Sequence, residues 1–110
     1  MPARFELKKT ETGKFMFNLI AGNGEIILTS QGYADKAGAM NGIQSVKAHA
    51  MKFDNFEQKV ASNAQPYFTL NASNGQVIGK SEMYSSNSAM KNGIDSVMRN
   101  AAKAEIVEID

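Results

Sequence analysis

The sequence predicts an α+β fold: two tandem β-β-β-α-β repeats forming one pseudo-twofold domain, an antiparallel sheet with two helices and swapped C-terminal strands. Three observations predict it. The chain repeats itself: a shift of 51 residues matches 14 of 36 positions between 15–50 and 66–101 without a gap. Within each copy, short alternating apolar runs punctuated by Asn-Gly give way to a stretch with a 3.6-residue period. Finally, each copy spans roughly 50 residues, near the size at which a lone core is marginal, so two copies gain by burying their apolar faces together. Repeat 1 is expected over about 1–55 and repeat 2 over about 56–110 of a single domain.

The elements follow in order. Phe5-Glu6-Leu7-Lys8 alternates as a half-buried strand does, and Phe56-Glu57-Gln58-Lys59-Val60 is its counterpart. Turns are expected at Glu11-Thr12-Gly13-Lys14 and Asn63-Ala64-Gln65-Pro66, the second lacking the glycine of the first. In the next strand Phe17, Leu19 and Ala21 share a face, matched by Phe68, Leu70 and Ala72. Asn23-Gly24 and Asn74-Gly75 then suit a type I′ hairpin turn, which needs positive φ at both central residues. A third strand is expected at 25–29 and at 76–80.

Over 34–51 the apolar residues Ala39, Gly42, Ile43, Val46 and Ala50 form one helical stripe, repeated by Met90, Gly93, Ile94, Val97 and Ala101. Asp35 and Ser86 (or Asn87) are suitable N-caps. Gly42 and Gly93 each cost a helix about 0.5–1 kcal/mol relative to Ala, so a close helix–sheet approach is expected at both. Strand-like runs follow at 53–56 and 104–109, the first running directly into repeat 2.

Composition excludes several classes of function. Twelve basic and eleven acidic residues leave a formal charge of +1, too small a field to recruit nucleic acid or anionic lipid. The absence of cysteine removes disulfides, thiolate metal sites and thiol nucleophiles. No apolar stretch approaches the ~20 residues that cross a bilayer, and charge interrupts the N-terminal residues before any leader-like run. The expectation is a cytoplasmic monomer with no cofactor and no metal.

Two signatures, Asn-Gly-Glu/Gln-Ile/Val-Ile in the hairpin and Asn-Gly-Ile-x-Ser-Val in the helix, resemble the YegP-like family over nearly the whole chain and in both copies. That resemblance implies small, mostly bacterial proteins of unknown function, found as tandem repeats or single-copy dimers. It further implies one continuous sheet with swapped C-terminal strands and, the family having no established activity, no known catalytic residues. Ser86-Asn87-Ser88 stands where repeat 1 has Asp35-Lys36-Ala37, so the two helix entrances need not bind alike.

The candidate ligand- or partner-binding residues are Asn41, Ser45 and Tyr33 in repeat 1, with Asn92, Ser96 and Tyr84 in repeat 2. The asparagines and serines share a polar helix stripe that continues through His49 and Lys52, or Asn100 and Lys103. The competing structural roles are backbone hydrogen bonding for Asn and Ser, and closure of a core end for the tyrosines. His49, the only histidine, lacks the companions a metal site or an oriented general base needs. Gly22-Asn23-Gly24 lies between strands with no helix after it, so it is not a dinucleotide fingerprint. The leading reading is a non-enzymatic module that binds a protein or peptide along an open sheet edge or face. Nucleic-acid binding through Lys8, Lys14, Lys47, Lys52 and Arg99 is the alternative, and an enzyme with a cleft at the repeat interface comes third.

Overall fold

The computed structural model describes residues 2–109. Strands β1 (Arg4–Lys9), β2 (Phe15–Ile20) and β3 (Ile26–Ser30) precede helix α1 (Lys36–His49). Strands β4 (Phe56–Val60), β5 (Pro66–Asn71) and β6 (Val77–Lys80) precede helix α2 (Asn87–Asn100), and β7 (Glu105–Ile109) follows. All seven strands form one sheet in the order β4-β5-β6-β3-β2-β1-β7. The two meanders meet where β3 and β6 pair antiparallel, Thr29 opposite Lys80 and Ser30 opposite Gly79.

Strand β7, the last of repeat 2, crosses to repeat 1 and pairs parallel with β1, from Arg4–Glu105 to Lys8–Ile109. The strand expected after α1 differs from its prediction. Phe53–Asn55 is a 3-10 turn, and the extended segment starts only at Phe56, as β4 itself. One strand thus serves both as the exit from α1 and as the first strand of repeat 2. Among the described residues β4 has no neighbour on its outer side.

Both helices lie on one face of the sheet and straddle the junction. Helix α1 packs on β2 and on β5 and β6 of the other repeat, and α2 on β5 and on β3. The predicted stripes are the buried ones: Ala39, Ile43, Val46 and Ala50 in α1, Met90, Ile94, Val97 and Ala101 in α2. Asp35 caps α1 by accepting from Gly38 N–H at 2.7 Å, and Ser86 rather than Asn87 caps α2, accepting from Ala89 N–H at 3.0 Å. Beneath the helices each repeat holds the same three rings. Phe5 meets Phe17 edge-on at 5.8 Å and Phe17 stacks on Tyr33 at 6.2 Å; Phe56, Phe68 and Tyr84 repeat this at 5.7 and 6.2 Å.

The hairpin turns depart from type I′. Only Gly24 and Gly75 have positive φ, at 87° and 86°. Ala21 N–H donates to Glu25 carbonyl and Gly24 N–H to Ala21 carbonyl, both at 2.9 Å. This is a three-residue loop, a type I turn closed by one left-handed glycine. Asn23 Oδ1 instead accepts from Glu25 N–H at 3.0 Å, and Asn74 does the same for Gln76. The asparagine's local hydrogen bond stabilises the first part of the loop, so only the glycine needs positive φ. Beyond each loop the register slips, Leu19 facing Leu28 but Ile20 facing Ile26, and Leu70 facing Gly79 but Asn71 facing Val77. These bulges turn the extra residues, Ile27 and Ile78, into the core.

Candidate functional site

Tyr33 and Tyr84 leave the third strands through short bridges to the second. Phe15 and Tyr33 exchange backbone bonds of 2.8 and 2.7 Å, whereas Tyr84 makes one, to Pro66 carbonyl at 2.8 Å, because proline has no N–H. Each half-buried ring then slides beneath its helix at the conserved-in-repeat glycine. A Cβ at position 42 would stand 2.7 Å from Tyr33 Cζ and 3.0 Å from Phe17 Cε2; at position 93 it would stand 2.6 Å from Tyr84 Cζ. The close approach expected from Gly42 and Gly93 is therefore an approach of helix to tyrosine. Burial raises the pKa of Tyr33, opposed by a hydrogen bond from Gln31. Burial also raises that of Tyr84, reinforced by the negative charges of Glu82 and Glu25.

The serines of the polar stripe are engaged within their own helices. Asn100 Nδ2 donates to Ser96 carbonyl at 2.8 Å and reaches Ser96 Oγ at 3.2 Å. His49 Nδ1 holds the same relation to Ser45, 2.8 Å from its carbonyl and 3.2 Å from its Oγ. A carbonyl only accepts, so this contact places the imidazole proton on Nδ1. Asn41 and Asn92 are exposed beside the glycines.

Tyr84, Asn92 and Ser96 are brought together. They line a cleft of about 390 Å³ between α2 and the β2–β3 hairpin, whose other wall is Asn23, Glu25 and Ile27. Arg99 closes one side, held by Asp95 at 2.8 Å. The cleft is thus built from both repeats, and its walls do not include Tyr33, Asn41 or Ser45. Asn41 and Ser45 sit at the corresponding places on α1 and Tyr33 just before it, and there the 51-residue shift puts Gln76 for Glu25 and Ala48 for Arg99. The six candidates therefore divide into two sets rather than one constellation, and only the repeat-2 set faces charge. Glu25 and Arg99 escape a search for repeated residues because they occur in one copy only.

The sheet edges form a second candidate surface. On the repeat-1 side β7 covers β1, Ile106 packs against the core and Glu108 pairs with Lys36. On the repeat-2 side β4 is open, and Gln58 is exposed where its counterpart Leu7 is buried. No helix among the described residues is long and apolar enough to cross a membrane.

Comparison with known proteins agrees with this duplicated plan. The family described as a domain of unknown function, DUF1508, matches twice in tandem, over residues 11–56 and 61–108. A UPF0339 protein of Shewanella oneidensis is 48% identical over 109 residues, covering 99% of each chain. The UPF0339 protein YegP of Yersinia pestis is 50% identical over 105 residues, covering 96% of this chain and 94% of its own. The solution structure of a Shewanella oneidensis UPF0339 protein superposes with a TM-score of 0.91 at 48% identity, covering 98% of this chain and 92% of that one. That of E. coli yegP, a protein of unknown function, gives 0.92 at 42% identity, covering 98% and 93%. The chain belongs to the DUF1508 family, in the company of the UPF0339 proteins.

Proposed function

We propose that the protein is a non-enzymatic binding module, a cytoplasmic monomer that holds an extended segment of a protein partner against its sheet. The observation that carries this reading is the unpaired outer side of β4, set against the covered outer side of β1. An open strand presents a row of N–H and C=O groups that gain by pairing, and main-chain pairing is a common mode of peptide capture. Site-specific photo-crosslinking in living cells tests it. A photoreactive residue at Lys59 should label an extended segment of a partner, and deleting that segment from the partner should abolish the adduct. Labelling at Lys59 no stronger than at the exposed Glu105 of β7, on the opposite edge of the sheet, would count against the reading.

The charged cleft supports a second reading, a small polar ligand held by Tyr84, Asn92 and Ser96 between Glu25 and Arg99. A small-molecule fragment screen by NMR separates the two. Shifts confined to α2 and the β2–β3 hairpin favour the cleft, and shifts along β4 favour the edge.

A further inference from the structure

Resting on the peptide-binding reading, we infer that the open side of β4 is a seat for an added strand running parallel to β4 and carrying apolar rather than acidic side chains. The protein contains its own template. β1 and β4 occupy equivalent positions in the two repeats, and a parallel strand, β7, already occupies the seat outside β1. The residues that would supply an equivalent strand outside β4, by the 51-residue shift from 105–109, are 54–58, and these are spent on the 3-10 turn and on β4 itself. The fold therefore has two seats and one strand to fill them.

The two seats have diverged in chemistry. The seat outside β1 receives a strand with two glutamates: Lys36 pairs with Glu108, and Arg4, in register with Glu105, is itself held by Glu6 at 2.9 Å. In repeat 2 the counterparts of Arg4 and Lys36 are Asn55 and Asn87, and the counterpart of Lys9 is Val60. Of the charged side chains on β4, Glu57 and Lys59 remain, with Lys59 Nζ 3.8 Å from Glu57 Oε1. An acidic strand here would lose the lysine that pairs with Glu108 and the basic side chains that Arg4 and Lys9 supply beside it, which discriminates against β7 and its like.

The lost charge is replaced by apolar surface. Val60 is 69% exposed at the end of β4, and Met83 is 44% exposed with its sulfur 3.7 Å from Asn63 in the β4–β5 turn. Phe53, 49% exposed, leads into the strand. Charge on an edge guards it against pairing. Both outer edges carry two charged residues, Glu105 and Glu108 on β7 and Glu57 and Lys59 on β4, but β4 ends in valine where β1 has Lys9. Exposed apolar side chains at both ends of an unpaired strand fit a partner strand whose own apolar residues cover them.

NMR titration of the full-length labelled protein with two capped peptides tests this. One carries the β7 sequence Glu-Ile-Val-Glu-Ile, the other has serine for both glutamates, and each has glycine-serine tails and an N-terminal nitroxide. The neutral peptide should shift amides of Phe56–Val60 and bind at least tenfold tighter than the acidic one. Its nitroxide should broaden Phe56 more than Val60. The exposed double variant Val60→Lys/Asn87→Lys, with its fold checked by the same spectra, should reverse the preference toward the acidic peptide. Stronger broadening at Val60 would overturn the parallel direction, and an unreversed preference would overturn the chemistry. Protection of β4 by concentration-dependent dimerisation would replace the peptide with a second copy and overturn the proposal. Shifts at the α2 cleft or along β7, or no binding of either peptide, would also overturn this seat. The broader reading would then stand or fall on the crosslinking at Lys59.

Discussion

Ala64 holds a left-handed backbone, φ 69°, at the place where repeat 1 uses Gly13, φ 85°. Both turns close alike, Ala61 N–H to Gln65 carbonyl at 2.9 Å and Thr10 N–H to Lys14 carbonyl at 2.7 Å. The alanine is strained by its Cβ, because a left-handed residue with a side chain costs about 1–2 kcal/mol. Ala64→Gly removes that strain while adding unfolded-state freedom of about 0.4–1 kcal/mol. The net expectation is a stabilisation of about 0.5–1 kcal/mol, read as a higher urea midpoint at unchanged slope. Gly13→Ala should do the reverse, since nothing lies within 4 Å of a Cβ there and backbone strain is the whole effect. Tyr84 offers a pH-dependent counterpart. Its folded pKa is raised, first by burial and then by Glu82 and Glu25, so the unfolded chain loses the phenolic proton first. Stability tied to this group is fully present below pH ~10 and falls as pH rises through and beyond that value. Urea midpoints between pH 9 and 11 should therefore decline less for Tyr84→Phe than for the parent protein. An identical decline would remove Tyr84 from the alkaline transition.

At the scale of elements, what was legible in the sequence follows from periodicity. The helix stripes and the alternating strands appear because burial selects apolar residues at spacings of 3.6 and 2, and Ile43, Val46, Phe17 and Leu19 are all fully buried. The 3-10 turn at Phe53–Asn55 was not legible: two aromatic residues around a short polar pair suggest a strand, whereas their spacing of three suits a single 3-10 turn, and repeat 1 has no separate fourth strand before β4. The candidate site was half legible. Duplication marked Tyr84, Asn92 and Ser96, but the charges facing them come from unrepeated positions in another element. The helix glycines show how elements set residue choice. Gly93→Ala should gain about 1 kcal/mol of helix propensity. Against that, its Cβ would meet Tyr84 Cζ at 2.6 Å and Phe68 Cε2 at 3.2 Å, and overpacking of this kind costs about 1–3 kcal/mol. Net destabilisation is expected. Removing the hydroxyl with Tyr84→Phe should recover part of it, with a coupling of at least about 0.5 kcal/mol in a double-mutant cycle. Additive effects would mean that helix and tyrosine do not constrain each other.

Across the whole molecule, the pseudo-twofold is broken where the repeats join. Leu28 and Gly79 are equivalent residues on the helix-facing side of β3 and β6, and they are packed against each other: a Cβ at 79 would stand 2.8 Å from Leu28 Cγ. Leu28 is fully buried, and the space it fills is the space that a second leucine would need. Two identical copies of repeat 1 would therefore collide at this point, and two copies of repeat 2 would leave a void. The junction is heterologous, one large residue against one absent side chain, and it gives each half a reason to choose the other. Leu28→Gly should cost at least the 2–5 kcal/mol typical of an emptied core site, and Gly79→Leu about 1–3 kcal/mol through overpacking. The exchange Leu28→Gly/Gly79→Leu places the leucine on the opposite strand, where the pseudo-twofold supplies nearly the same pocket. It should recover at least about 1 kcal/mol relative to the sum of the single variants, a coupling between residues in contact. Equilibrium unfolding of the four proteins in urea measures this directly. Simple additivity would mean that the junction is not shaped by the pair, and that the two repeats could be exchanged without loss.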